Sequence, residues 1–286
     1  MSALLAGPAQ PAEVVGSFPV AVYLRTPAGI VSVVAPGAVR LPNAVLCSDA
    51  DHAKVVRHAG DDSVRVGDGG VWFGPLLLEV GRWWDPVPRL RGTDPGTLAR
   101  SLRAMRSGLP AWPEAVEPSD GEVIGAVPTA ALARRLSSGR RVLASALAGE
   151  APLRQAAAEL VGLGPGLTPA GDDLLAGTIA GLVIFGRALD STAAVQAGRL
   201  LGAEVSARAG RTTPLAADLS GHATAGAVAQ PIGAVCHALV GQRPLRPALD
   251  RLLAVGHTSG RDLAEGLALG VSAASASAAS AASKHS

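Results

Sequence analysis

The segment Gly162-Leu163-Gly164-Pro165-Gly166-Leu167-Thr168-Pro169-Ala170-Gly171-Asp172-Asp173 limits the folds open to this chain, because a glycine-rich turn runs straight into an apolar helix. Each glycine costs about 0.5–1 kcal/mol relative to alanine through unfolded-chain entropy, so the cluster Gly162, Gly164 and Gly166 needs a geometric or ligand-binding reason. Thr168 followed by Pro169 predicts a helix start, with Thr as N-cap and Pro at the first helical position. Such a start offers unpaired N–H groups and the positive end of the helix dipole to an anion. Helix stability alone would justify the cap, at about 1 kcal/mol, and the acids Asp172 and Asp173, at about 0.3–1 kcal/mol each. It would not justify the glycines.

Within the helix, Gly177 and Gly181 lie one turn apart on the face that carries Asp173, which predicts close packing against a neighbour. A repeat is also visible. Thr168, Thr213 and Thr258 are 45 residues apart at each step, each followed by Pro or Ser and then an Asp-Leu pair. Gly171 to Gly177 and Gly260 to Gly266 share the pattern Gly-x-Asp-Leu-x-x-Gly. Stacked units of this kind would bring three Thr/Asp loops around one ligand.

The predicted fold class is α+β. A small β-rich, barrel-like domain spans 1–95, and a larger helical domain spans 96–271, with glycine-rich loops at its helix N-termini. Hairpins are expected around Thr26-Pro27-Ala28-Gly29 and Gly67-Asp68-Gly69-Gly70, with a further strand over Leu76 to Trp84. Helices are expected over Thr97–Ser107, Pro128–Ala148, Pro152–Val161, Asp172–Leu189, Thr192–Ala209, Leu215–Val228, Ile232–Val240, Leu245–Val255 and Asp262–Ala268. The Ala/Ser segment 272–286 is expected to be a disordered tail. Aromatic residues make up only 3% of the chain, so its helices must pack through small and aliphatic side chains.

Several function classes are disfavoured. With 25 basic and 23 acidic residues there is no global field for nucleic acid, and the basic stretches lack stacking aromatics. No segment has the length and apolarity of a membrane span, and the N-terminus has no basic, apolar leader, so a cytoplasmic location is expected. Two cysteines, Cys47 and Cys236, cannot make a disulfide framework or a four-thiolate metal site. Cys236 and His237 are helix neighbours that point apart, so they are not a nucleophile pair. His222 and His237 lack a partner at metal-ligand spacing.

The second loop is Gly256-His257-Thr258-Ser259-Gly260-Arg261-Asp262, where a titratable ring, two hydroxyls and a guanidinium flank a helix start. That combination suits an anionic ligand bearing a carbonyl. Arg208 and Arg211, ahead of Thr212-Thr213-Pro214, are the corresponding cations of the middle unit. Asp172 and Asp173 would repel a phosphate unless neutralised, either by Arg211 or Arg261 or by a hard cation such as Mg²⁺ held by the two carboxylates.

At these residues the chain resembles the AllH-like family, which includes the small subunit of bacterial oxamate carbamoyltransferase. The likeness is carried by Gly164-Pro165-Gly166-Leu167-Thr168-Pro169-Ala170-Gly171-Asp172-Asp173 and Gly256-His257-Thr258-Ser259-Gly260-Arg261-Asp262, with Arg211-Thr212-Thr213-Pro214 between them. Ala170 stands where the family pattern has Ser. The resemblance implies a subunit that transfers a carbamoyl group between carbamoyl phosphate and oxamate, or cleaves oxalurate with phosphate, in allantoin and purine catabolism, together with other subunits. Mapped on this chain, it implies catalytic roles for His257, Thr258 and Asp173. Substrate contacts would come from Gly164, Gly166, Thr168, Arg211, Thr213, Ser259 and Arg261. Two other readings of the same residues are an assembly subunit docking through its glycine-rich face, and a metal-dependent amide hydrolase using Asp172, Asp173 and His257.

Overall fold

The computed structural model describes residues 2–60, 63–110 and 130–283. The chain divides into two compact units, Met1–Pro86 and Val87–Ser286. The first unit opens with a short helix α1 (Ser2–Ala6) and contains β1 (Gln10–Pro11), β2 (Glu13–Phe18), β3 (Ala21–Thr26), β4 (Gly29–Val34), β5 (Ala44–Leu46), α2 (Asp49–His58), β6 (Val64–Gly67), β7 (Gly70–Phe73) and β8 (Leu76–Glu79). The strands form two four-stranded sheets, ordered β2-β3-β4-β5 and β1-β6-β7-β8, in which only the β4–β5 pairing is parallel.

Both expected hairpins are present, and local chemistry explains each. Thr26 pairs with Gly29 across Pro27-Ala28, and Gly67 pairs with Gly70 across Asp68-Gly69. Asp68 at φ 47° and Gly69 at φ 83° supply the left-handed pair that a two-residue turn needs. Val22, Leu24, Val31 and Val33 from one sheet and Val66, Val71 and Phe73 from the other fill one apolar core. Helix α2 is absent from the sequence expectation: its low apolar content hides its period, and only its Ser48 cap and the buried His52 and Val55 anchor it. The last strand stops at Glu79, short of Trp84, because the following Gly81-to-Pro88 stretch carries no ladder partner among the described residues.

The second unit is helical: α3 (Pro95–Gly108), α4 (Ala130–Leu147), α5 (Leu153–Leu160), α6 (Ala170–Ala188), α7 (Thr192–Ser206), α8 (Pro214–Ala225), α9 (Gln230–Leu239), α10 (Leu245–Leu253) and α11 (Ser259–Ser283). These helices match the predicted segments, although the first two residues predicted for α4 lie outside the described ones. The exception is α11, which runs on through the segment expected to be a disordered tail. Ala274 is fully buried, and Ser277 shares a 2.9 Å hydroxyl hydrogen bond with Ser191, the N-cap of α7. Alanine and serine look like a low-complexity end in sequence, yet their small side chains let this helix lie close to its neighbours.

Helix α6 is buried on all sides from Ala170 to Gly186, so it forms the centre of the unit. Its main partner is α11. A Cβ added at Gly177 would strike the Leu263 carbonyl and the Leu267 amide, and one at Gly181 would meet Leu267 and Val271. Reciprocally, a Cβ at Gly266 would strike Leu174 and Thr178, and one at Gly270 would meet Thr178 and Leu182. Contacts advance along both helices in the same direction, so α6 and α11 are parallel and their N-termini lie at the same end. Backbone-to-backbone packing of this kind requires glycine on both sides of the crossing.

Candidate functional site at the paired helix starts

The parallel crossing has an internal two-fold character. Gly171, Asp173, Gly177 and Gly181 of α6 correspond to Gly260, Asp262, Gly266 and Gly270 of α11. The preceding turns correspond too: Gly171 N–H donates to the Leu163 carbonyl at 2.9 Å, and Gly260 N–H donates to the Val255 carbonyl at 2.9 Å. Asp172 and Asp173 N–H groups return to Pro169, as those of Arg261 and Asp262 return to Thr258. The Gly-x-Asp-Leu-x-x-Gly segments of the first and third members are therefore structural equivalents, although Thr258 corresponds to Pro169 and not to Thr168. The middle one is not, since His222 stands four residues after Asp218, where the other two helices carry the glycine of their crossing.

The first helix start differs from its prediction. Thr168 does not cap α6; the cap position is Pro169, with no side-chain cap bond. The Thr168 hydroxyl instead lies 3.1 Å from the Ser259 hydroxyl of the second loop. The N–H groups of Gly171, Asp172 and Asp173 in the first turn are occupied by the Leu163 and Pro169 carbonyls, so they are not an anion's donors. The loop before it is different. Among the described residues, the N–H groups of Gly164, Gly166, Leu167 and Thr168 donate to no other main-chain group. Gly166 and Leu167 are exposed, which leaves those donors to solvent or ligand.

The glycines of this loop have separable reasons. Gly162, at φ 73°, packs so closely on the Arg211 carbonyl that a Cβ would overlap it. Gly166, at φ 95°, has nothing within 4 Å of the place a Cβ would occupy. Packing therefore explains the first, and only backbone conformation the second.

A third loop completes the site. Thr213 caps α8 by accepting from Ala216 N–H at 3.1 Å, and its hydroxyl donates to the Leu167 carbonyl. Thr212 donates to Asp172 Oδ2 at 2.8 Å, and Gly162 N–H donates to the same oxygen at 2.9 Å. Asp172 thus clasps the glycine loop to the Arg211-Thr212 segment and is committed to that task. Thr212 and Asp262 carry no role in the sequence expectation; the repeated Gly-x-Asp-Leu-x-x-Gly pattern was the signal that marks Asp262 as the counterpart of Asp173.

Three carboxyls are buried here. Asp172 is 2% exposed, Asp173 5% and Asp262 0%. Burial raises all three above the usual carboxylate range. For Asp172 this is opposed by Thr212, Gly162 and the Arg211 charge. For Asp262 it is opposed by Arg261, whose Nη2 lies 2.7 Å from Oδ1 in a buried ion pair, and by Thr258. Asp173 rises furthest. Beyond burial, the charges of Asp262 and Asp172 push it up, and only hydrogen bonds from Ser259 and Thr168 oppose them. The sequence posed a repulsion between these acids and an anion. The structure resolves it by directing Asp172 into the loop clasp, pairing Asp262 with Arg261 and favouring a neutral Asp173.

The remaining expected residues divide. His257 and Arg211 are exposed, while Thr258 and Ser259 are half-buried at the start of α11. Arg261, expected as a substrate cation, is 8% exposed and engaged with Asp262. His222 pairs with Asp218 at 3.3 Å and His237 with Gln242 at 2.6 Å, away from this cluster in chain terms. Burial pushes the Cys236 thiol up to about 12, which removes it as a nucleophile. Among the described residues no group of three or more His, Cys, Asp or Glu is placed to hold a metal ion, and no helix is long and apolar enough to cross a membrane.

Residues 160–271 match the family model described as oxamate carbamoyltransferase subunit AllH. The matched region begins at the end of α5 and closes within α11, so it contains all three loops. No solved structure matches the chain.

Proposed function

From the AllH-like assignment of the segment that builds the paired helix starts, we propose that this chain is a working subunit of an oxamate carbamoyltransferase, with its substrate site at the meeting of the Gly162–Gly171, Arg211–Thr213 and Gly256–Gly260 loops. One observation carries this reading: the N–H groups of Gly164, Gly166, Leu167 and Thr168, which donate to no other main-chain group, lie in the loop that carries the hydroxyl pair Thr168–Ser259 and leads into the first of two parallel helix starts. Two aligned positive helix ends favour an anion, and loop N–H groups supply its hydrogen bonds.

The chemistry is transfer of a carbamoyl group. The amide nitrogen of oxamate attacks the carbamoyl carbon of carbamoyl phosphate, the carbon–oxygen bond to phosphate breaks, and the nitrogen loses a proton, giving oxalurate and phosphate. In the reverse direction a phosphate oxygen attacks, and the departing oxamate nitrogen takes up a proton. The phosphate group belongs to the N–H groups of Gly164, Gly166 and Thr168. Thr258 or His257 polarises the carbamoyl oxygen, and positioned donors of this kind contribute substantially to acyl-transfer rates. Arg211 takes the oxamate carboxylate, because Arg261 is already neutralised by Asp262. Asp173 orients the Thr168 and Ser259 hydroxyls.

The assembly-subunit reading loses its main support, since the glycine stripe of α6 is spent against α11 within the chain. The test is oxamate-dependent phosphate release from carbamoyl phosphate, with this chain alone and with the proteins encoded beside it. Release should require this chain and should collapse in a folded Asp173→Asn variant. Release that is indifferent to omitting the chain would defeat the reading.

A further inference from the structure

We propose that Thr213 is a positioning residue for the phosphate: by holding the Leu167 carbonyl it turns the Thr168 N–H, at the other edge of the same peptide plane, away from α8 and towards the ligand. The inference rests on the carbamoyl-transfer reading, and it replaces the substrate contact expected of Thr213 with an indirect role.

The glycine loop has little of its own to fix its shape. Gly162, Gly164 and Gly166 sit at φ 73°, 120° and 95°, a region that glycine enters and leaves freely. The N–H groups of Gly164, Gly166, Leu167 and Thr168 make no main-chain hydrogen bond that would select one arrangement. The ties come from outside the loop. At its start, Gly162 N–H and the Thr212 hydroxyl meet on Asp172 Oδ2, at 2.9 and 2.8 Å. At its end, the Thr168 hydroxyl lies 3.1 Å from that of Ser259. Between these two, the Thr213 hydroxyl donates to the Leu167 carbonyl.

That hydroxyl has one proton, and Leu167 takes it, so Thr213 has no donor left for a phosphate oxygen. A lone pair of the same oxygen accepts Ala216 N–H at 3.1 Å, which seats the tie on the first turn of α8. A helix end thus grips a single peptide of a flexible loop. The Leu167–Thr168 peptide is planar and trans, so its C=O and its N–H point in opposite directions. Holding the carbonyl against Thr213 therefore directs the Thr168 N–H away from Thr213. Thr168 is half-buried, and its N–H has no partner among the described residues, so the tie presents an unpaired donor that an anion can satisfy.

Calorimetric titration of the full-length chain with inorganic phosphate tests this, with the Thr168 amide followed by NMR after ¹⁵N-threonine labelling. Each variant is checked for cooperative melting and titrated well below its Tm. Wild type should bind phosphate and shift the Thr168 amide, and Thr213→Ser, which keeps the hydroxyl, should match it within about twofold. Thr213→Val should bind at least about tenfold more weakly, as expected for one misdirected hydrogen bond to a charged group, and should lose the Thr168 shift. If Thr213→Val does not fold, Thr213→Gly carries the comparison, because glycine is an adequate cap residue with no donor. Ser191→Ala removes the cap of α7 and controls for cap loss alone; it should bind phosphate as wild type does. Wild-type affinity in Thr213→Val, or a Thr213→Ser as weak as Thr213→Val, would overturn the role. Wild type that binds no phosphate would overturn it together with the loop's assignment to phosphate. Phosphate release assayed in parallel keeps the two readings apart: weakened binding in Thr213→Val with no chain-dependent release supports the tie and defeats carbamoyl transfer, whereas release that Thr213→Val leaves unaltered defeats the tie alone.

Discussion

Gly177 of α6 and Gly266 of α11 are each other's counterparts across a parallel helix crossing, Gly177 seated on the Leu263 carbonyl and Gly266 on the Leu174 carbonyl. That mutual contact brings the two helix starts to one end, and with them Asp173 and Asp262. The position of the candidate site therefore depends on the absence of two side chains at the helix crossing.

Alanine at Gly177 or Gly266 should destabilise the helical unit by at least about 1–3 kcal/mol, the usual cost of overpacking, because backbone and not a flexible side chain stands in the way. For a chain of this size that is a fall in Tm of roughly 2–4 °C per kcal/mol. Thermal unfolding followed by circular dichroism measures it. A variant that melts with wild type would show that the crossing is looser than its geometry.

Asp173 predicts a pH dependence. Burial, then the charges of Asp262 and Asp172, raise its folded-state pKa well above the unfolded value of about 3.9. The native state then holds a proton that the unfolded state releases, so stability falls as pH rises from about 4 towards the folded pKa. Asp172 and Asp262 act in the same direction. Replacing Asp173 with Asn should flatten the decline in Tm above about pH 4 and make the ligand-free protein more stable at neutral pH. An Asn variant whose Tm tracks wild type at every pH would contradict this assignment.

Thr212 and Thr213 are neighbours with different duties, and substitution should separate them. Thr212→Val removes a donor from buried Asp172, at a cost of about 1–3 kcal/mol. Thr213→Ala removes the α8 cap, at about 1 kcal/mol, and frees the Leu167 carbonyl. Chemical denaturation should therefore rank Thr212→Val as the more damaging of the two, and the reverse order would mean that Asp172 finds another donor.

Much of the fold was legible in local signals. Turn chemistry located both hairpins, and periodicity located most helices of the second unit, since an apolar face of period 3.6 does not depend on what covers it. Two elements were hidden for opposite reasons. Helix α2 carries too few apolar residues to show a stripe, and the end of α11 carries so much alanine and serine that composition imitates disorder. Within the site, residue types pointed to the three loops. They misassigned Thr168, because a threonine before proline and a helix is chemically a cap unless a closer partner is available, and Ser259 is that partner.

The sequence by itself determined the elements, the glycine positions and the gathering of acids and hydroxyls at helix starts, because these follow from backbone preference and short-range spacing. Tertiary structure decided what those groups do. The direction in which α11 lies on α6, whether Asp172 faces a ligand or the Gly162 amide, whether Arg261 is free or held by Asp262, and which carboxyl oxygens stay without a donor all depend on contacts between residues distant along the chain. No local propensity encodes such contacts, since each is fixed by burial and hydrogen-bond satisfaction only after the helices have packed.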